Sequence, residues 1–576
     1  MNGISASAGI AIGSAFLYLD DEVSEIPRYA IQKTHVETEW ERFLSAVRNA
    51  ESEVAELRDR ASREMGEEHA KIFEAHIMML ADAELKDQIR DRLELNFQNI
   101  EWIVWDISRD LSQKLMNSTD QYLRDRAIDI ADVSRRILNH LMSIKKVSLA
   151  ELAEDVILVT HNLLPSDALT MNKNRVKGIV MDMGGRTSHT AILARAFEIP
   201  AVLGLSSATK EIAKGDTVIV DGTSGRIIVF PDETTLDRYR GITVHLRKVA
   251  DDLLAFKDFP AETKDGHRVA LKANIEVPEE ASHALLYGAE GIGLYRSEFL
   301  FLTPGQSADE HRQYEAYRKV AVGMAGKPVT IRTLDVGGDK LIPDLQSFEE
   351  KNPLLGWRAI RFCLSHKELF KTQLRALLRC SAEGDVRIMF PMISGIEELE
   401  DALQVLEEAK AECSARGQSY AKDLKVGCMI EIPSAAMTAD ILARRSDFFS
   451  IGTNDLVQYS LAVDRGNERT AYLAQPFHPA VLRFIKSTID AAHAQGITAA
   501  MCGELAGDPN ATAILLGMGL DEFSMSSSAI PLIKRVVRGS SASECRALAE
   551  EALALSSYRH VDSLVGRWMA DRFPAE

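Results

Sequence analysis

From about Asp265 onward the chain repeats one pattern, a short apolar run, a turn and a helical stretch. Eight such runs occur: Val269 to Ala273, Gly291 to Tyr295, Val329 to Thr333, Val386 to Phe390, Val426 to Ile430, Phe448 to Gly452, Ile497 to Cys502 and Glu522 to Met525. Short, nearly continuous apolar runs are what strands covered on both faces require. Eight strand–helix units in succession predict a closed parallel (β/α)8 barrel of the TIM type. Such barrels collect their chemistry at the C-terminal ends of the strands. Those ends here carry Asn274, Arg296, Arg332, Met392, Glu431, Asn454 with Asp455, Cys502 and Ser524, almost all able to bind, coordinate or react.

The first half reads differently. Ile4 to Leu19 alternates small and apolar residues, as a pair of strands would. From about His35 to Lys145 there is almost no Gly and no Pro, and apolar residues such as Phe43, Val47, Val54 and Leu57 recur at helical spacing. That stretch predicts several antiparallel helices inserted into a mixed domain. Strand-like runs then return at Val156 to Val159, Gly178 to Met181, Thr217 to Val220 and Arg226 to Phe230, followed by a charged helical connector from Asp232 to Lys257.

Between these strands lies Gly184-Gly185-Arg186-Thr187-Ser188-His189-Thr190-Ala191. A Gly pair at a strand-to-helix turn lets backbone approach a ligand closely, and amides at a helix start favour an anion. Thr187 and Ser188 add hydroxyls. His189 in the first turn suits a group that accepts a phosphoryl group and holds it; the plainer alternative is a core histidine packed under a loop.

Composition sets outer bounds. A chain of 576 residues calls for two to four domains. No run of eighteen apolar residues and no basic-then-apolar leader occurs, so neither a membrane span nor a signal peptide is expected. The six cysteines form no C-x-x-C pair, which argues against zinc or a disulfide framework and for the cytoplasm. The net charge of -18 argues against nucleic acid as a partner and suits a basic one.

Within the barrel, Arg296 and Arg332 end neighbouring strands, and guanidinium groups match phosphate oxygens bidentately. Arg358 and Arg465 lie in loops that reach the same mouth, and Gly337-Gly338-Asp339-Lys340 offers amides and one ammonium. Glu431 and Asp455 supply two hard oxygen ligands for Mg²⁺, with substrate and water completing the shell, or else simply neutralise the arginines. Cys502 is either a proton donor at carbon or a small apolar filler. A phosphorylatable histidine plus a barrel holding arginines, a metal pair and a thiol fits a substrate such as phosphoenolpyruvate.

These stretches together resemble enzyme I of the bacterial phosphoenolpyruvate:sugar phosphotransferase system. The matching segments are Gly9-Ile10-Ala11, Gly184 to Arg195, Gly293 to Arg296, Arg332 to Lys340, Asn352 to Arg358, Gly452 to Asp455, Val463 to Arg465 and Met501 to Asp508. The resemblance implies that His189 takes the phosphoryl group from phosphoenolpyruvate and passes it to a histidine of the carrier HPr. It implies that Arg296 and Arg332 hold the phosphate, Glu431 and Asp455 bind Mg²⁺, Asn454 and Arg465 orient the substrate, and Cys502 donates the proton. Residues 1–33 with 146–231 would form a swivelling phosphohistidine domain, 34–145 an HPr-docking helical subdomain, 232–260 a linker helix and 261–576 the barrel. The docking face would include Glu67, Glu68 and Glu84 around Met78 and Met79; without the resemblance these read as a solvated helix face plus core methionines. A homodimer through the barrel is likewise implied.

Ala8, Leu164 and Ala168 depart from the family's usual proline and hydroxyl residues, and Ala168 puts in doubt a hydrogen bond that would park His189. Two other readings stand beside this one. An ATP-dependent dikinase shares the histidine domain and barrel but needs an ATP-binding domain, for which there is no room before His189. A non-catalytic phosphorelay regulator would be expected to have lost one of His189, Arg296, Arg332, Glu431, Asp455 or Cys502, and all are present.

Overall fold

The computed structural model describes residues 1–18, 26–65, 73, 76–116, 121–142, 149, 152–163, 167, 171–184, 190–191, 194, 197, 199–301, 309–336, 352–464 and 470–573. Chain contacts divide it into two units, Met1–Arg247 and Lys248–Glu576.

In the first unit, seven strands form one mixed sheet: β1 (Ile4–Ser7), β2 (Ile10–Leu17), β3 (Val156–Thr160), β4 (Val176–Met181), β5 (Ala201–Leu203), β6 (Thr217–Asp221) and β7 (Arg226–Val229). Their order is β1-β5-β4-β3-β2-β6-β7. The two strands expected from Ile4 to Leu19 are present but are not partners, which corrects the strand-pair expectation. β2 is taken on both sides, in parallel by β3 and antiparallel by β6, so β1 is left to pair with β5. Gly9, at φ 115, turns the chain between them in a conformation open to glycine.

The predicted helical insertion appears as Val36–Met65, Ala83–Asn96, Ile100–Met116 and Gln121–Met142. Phe43, Val47 and Val54 are buried on one stripe of the first helix and pack with Ile89, Leu93, Ile103, Val104 and Ile137 from the others. Asp82 caps the second helix by accepting the Glu84 and Leu85 amides at 2.8 and 3.2 Å. The connector forms one helix, Glu233–Leu254.

The second unit is the predicted barrel. Its strands are β8 (Ala270–Ile275), β9 (Ile292–Arg296), β10 (Val329–Arg332), β11 (Val386–Phe390), β12 (Lys425–Ile430), β13 (Phe448–Ile451), β14 (Thr498–Met501) and β15 (Glu522–Met525). All neighbours run parallel and the sheet closes through β15 and β8 back to β9. A continuous core of strand and helix side chains, among them Ile331, Phe390, Leu374, Ile485 and Ile514, fills the space between barrel and helices.

Candidate active site

Seven of the predicted residues, Arg296, Arg332, Arg358, Glu431, Asn454, Asp455 and Cys502, line one cavity of about 260 Å³ at the C-terminal ends of the strands. Register explains the first two. Arg332 pairs directly with Arg296 across β10 and β9, so two guanidinium side chains leave adjacent strand ends together. Arg296 ion-pairs with Glu276 at 2.5 Å and is about a third exposed, at 35%. Arg332 is buried, held by Glu298 and by Asp335 at 2.9 Å. Arg358, from the loop before helix Ile360–Ser365, points Nη2 at the two Asp335 oxygens (3.0 and 3.2 Å). Its Nη1 donates to Asp455 Oδ1 and to the Tyr459 hydroxyl, both at 3.2 Å. Burial disfavours the charge on Arg332, but Asp335 and Glu298 outweigh it and hold the guanidinium above its ordinary pKa. For Arg358 the balance is the same, with Asp335 and Asp455 as the carboxylates.

Glu431 stands just past β12 and is 1% exposed. Its Oε1 accepts the Met392 amide at 2.6 Å. Met392 reaches that geometry with φ 56, a left-handed conformation costly for a side chain of its size. Ala359, beside Arg358, is held at φ 54. Gly452 faces the other carboxylate oxygen so closely that a Cβ there would lie 2.8 Å from it. Burial, then the nearby charges of Asp455 and Asp335, push the Glu431 carboxyl up to about 8. A carboxyl kept protonated by burial and by two neighbouring carboxylates is part of the donor set a hard divalent cation would relieve. Among the described residues, no three or more His, Cys, Asp or Glu converge as a complete metal cage.

Cys502 follows β14 and is 4% exposed, over an apolar floor of Leu294, Met389, Met429 and Phe448. Burial pushes its thiol up to about 11, so it carries its proton at neutral pH. That suits a proton donor and not a thiolate nucleophile. Asn454 exchanges two hydrogen bonds with Glu504: its Oδ1 accepts the Glu504 amide at 3.2 Å and its Nδ2 donates to Oε1 at 3.3 Å.

Several functional neighbours escaped sequence reasoning. Glu276, Glu298 and Asp335 hold the arginines in place, yet each is one carboxylate in an irregular or short segment. The one available signal was proximity, since Glu298 and Asp335 lie two and three residues after arginines at strand ends. Five predicted residues lie outside the described residues: His189, Lys340 and Arg465, and Glu67 and Glu68 of the docking face. Of the rest of that face, Met78 is 74% exposed and Glu84 is exposed at the start of its helix. Met79 is half-buried against the helical core, so it is a packing residue first. A larger hollow of about 650 Å³ opens at the opposite strand ends, lined by Arg268, Glu290, His493, Asp521 and Glu522.

Three family models match the chain: PEP-utilising enzyme, N-terminal (residues 2–126), PEP-utilising enzyme, mobile domain (152–225), and PEP-utilising enzyme, PEP-binding domain (251–542). The phosphoenolpyruvate-protein phosphotransferase of Listeria monocytogenes is 44% identical over 99% of both chains. That of Bacillus subtilis is 42% identical over 98% of this chain and 99% of its own. A solution structure of an Enzyme I protein is 39% identical, covering 43% of this chain and 99% of that one at a TM-score of 0.39. Full-length likeness at this identity leaves one conclusion: the chain is a multidomain α/β enzyme that belongs to the phosphoenolpyruvate-protein phosphotransferase family.

Proposed function

We propose that the barrel mouth binds phosphoenolpyruvate and that its phosphoryl group passes to His189 and then to a histidine of the carrier HPr, with release of pyruvate. The observation that carries this is the pairing of Arg296 and Arg332 in register beside a buried, protonated thiol in one cavity. Arg296 and Arg332 hold the phosphate, with Arg358, Lys340, Asn454 and Arg465 as further substrate contacts. Phosphoryl transfer asks the protein chiefly for positioning and charge neutralisation. The ion pairs with Glu276, Glu298 and Asp335 keep the guanidinium groups fixed before substrate arrives, so little reorganisation is needed.

Four carboxylates, Asp335, Glu431, Asp455 and Glu504, line the cavity against three arginines. Phosphoenolpyruvate adds roughly two to three negative charges more. That excess favours a divalent cation, Mg²⁺ in this reading, held by Glu431 and Asp455 with substrate and water completing its shell. When bound, it supplies charge stabilisation at the phosphate and at the oxygen that becomes the enolate. Cys502 then protonates the methylene carbon: the enolate's carbon–carbon π pair takes the thiol proton, the ketone C=O forms, and sulfur keeps the S–H pair as thiolate.

Residues 1–33 with 146–231 are assigned to the mobile phosphohistidine domain, 34–145 to carrier docking through Glu67, Glu68, Met78, Met79 and Glu84, 232–260 to the linker and 261–576 to substrate binding. Transfer to two partners calls for a domain swivel between them. A homodimer through the barrel and a cytoplasmic location belong to the same proposal. No helix of the described residues is long and apolar enough to cross a membrane. The test is incubation with labelled phosphoenolpyruvate and Mg²⁺ followed by HPr. Acid-labile label on the wild type, absent from His189→Ala and passed to HPr, is expected; label acquired only from ATP would shift the assignment to a dikinase.

A further inference from the structure

Cys502 sits one residue beyond the β14–β15 ladder, whose pairing ends at Met501 and Phe523. Its carbonyl therefore lies past the reach of the adjacent strand. Asn274, on β8 two strands away in the barrel order, supplies the missing partner: its Nδ2 donates to the Cys502 carbonyl at 3.0 Å. The same amide donates to the Ser524 carbonyl at 3.3 Å, and its Oδ1 accepts the Ser524 hydroxyl at 2.6 Å. Both ends of the half-buried amide are thus engaged, in a network that reaches across β15, and an amide with all its partners made is held in one geometry.

From the other side, Gly503 packs against Thr453 so tightly that a Cβ there would lie 1.8 Å from its Oγ1. The Cys502 amide donates to the Ile451 carbonyl at 3.1 Å. The backbone carrying the thiol is thereby gripped at residues 502 and 503 from two other strand ends, by Asn274 of β8 and by Ile451 and Thr453 at the end of β13.

We infer that Asn274, braced by Ser524, is a positioning residue that aims the Cys502 thiol at one face of the enolate, so that protonation is stereospecific. This rests on the reading of Cys502 as the proton donor. A proton delivered from a fixed point reaches one face of a planar carbon; a thiol free to shift by a fraction of an ångström leaves the enolate to be protonated from both faces by water. A merely structural asparagine would change the amount of folded enzyme, not the handedness of its product.

Phosphoenolpyruvate carrying one deuterium at a defined methylene position is turned over by the full chain with HPr in tritiated water, and the configuration of the pyruvate methyl group is read. The wild type gives one configuration in large excess. Asn274→Leu loses about half or more of that excess and slows pyruvate release roughly tenfold, with KM for phosphoenolpyruvate held. Asn274→Asp keeps the volume but has no N–H to give to the Cys502 carbonyl, and it behaves the same; it carries the test if Asn274→Leu fails to fold. Cys502→Ala abolishes the excess. If Cys502→Ala scrambles the product while both Asn274 variants keep the wild-type configuration, the role of Asn274 is overturned and that of Cys502 stands. If Cys502→Ala keeps the configuration, the proton donor is another group and the inference falls with it.

Discussion

The two ends of the barrel both carry ion-paired charge and use it differently. At the N-terminal end, Lys272, 2% exposed, pairs with Glu522 at 2.6 Å, Arg387 reaches the same carboxylate at 3.6 Å, and His493 meets Asp521 at 3.0 Å. Burial lowers the Lys272 pKa although Glu522 opposes the shift. At the C-terminal end the arginines are equally paired, but carboxylates outnumber them, burial and then the charges of Asp455 and Asp335 raise the Glu431 carboxyl, and Met392 and Ala359 are held at positive φ. The lesson is that buried ion pairs alone do not mark a site. A surplus of one charge, held by a strained backbone around a cavity, does.

That contrast breaks most easily at Arg332. Arg332→Met is expected to lower phosphoenolpyruvate turnover by at least about a hundredfold, because a charge aimed at the transferring group is lost. It also leaves Glu298 and Asp335 buried without that cation, so the unfolding midpoint should fall as well. Steady-state pyruvate release and a thermal melt on the same preparation check both halves.

A different signature, loss of stability without loss of activity, is expected at the other end. Lys272→Met leaves Glu522 without its nearest cation and should destabilise the barrel by about 3 kcal/mol, while KM and kcat stay near wild type in folded enzyme. Denaturant unfolding beside kinetics separates the two ends; a large KM change in this variant would erase the distinction.

A smaller effect sharpens the account of the surplus charge. Glu431 titrates near 8 where an ordinary glutamate titrates at 4.5. A carboxyl raised in this way binds more protons folded than unfolded, so the metal-free protein loses stability as pH climbs from about 4.5 through 8. A cation binds the deprotonated form, so affinity for Mg²⁺ should rise as pH approaches about 8 and level off above it. Proton release on Mg²⁺ addition, followed in two buffers, measures this; release that is absent at pH 7, or that Glu431→Gln leaves unchanged, would contradict it.

Much of the barrel was legible because each strand announces itself as a short apolar run between turns. Val386 to Phe390 and Glu522 to Met525 match residue for residue, and the others differ by one or two residues at one or both ends. The residues just past those runs then fell into one cavity, since a closed parallel barrel brings every C-terminal strand end to the same rim. The partners that hold the arginines were not legible. Glu276 reaches Arg296 from the neighbouring strand end, and Asp335 bridges Arg332 and Arg358 from an irregular segment, so neither obeys a period. The order of the first sheet was hidden for a related reason. Ile4 to Leu19 reads as two strands, but which edges they join depends on β3 and β6, more than 130 residues away.

The central claim is that phosphoenolpyruvate is held at the C-terminal mouth by the arginine pair. Equilibrium binding of phosphoenolpyruvate with Mg²⁺ to His189→Ala, which cannot be phosphorylated in this scheme, tests it without turnover. Added to that background, Arg332→Met should weaken binding by at least about a hundredfold, and Lys272→Met should leave it unchanged. Unaltered binding in the Arg332→Met protein, or loss of binding in Lys272→Met, would contradict the account.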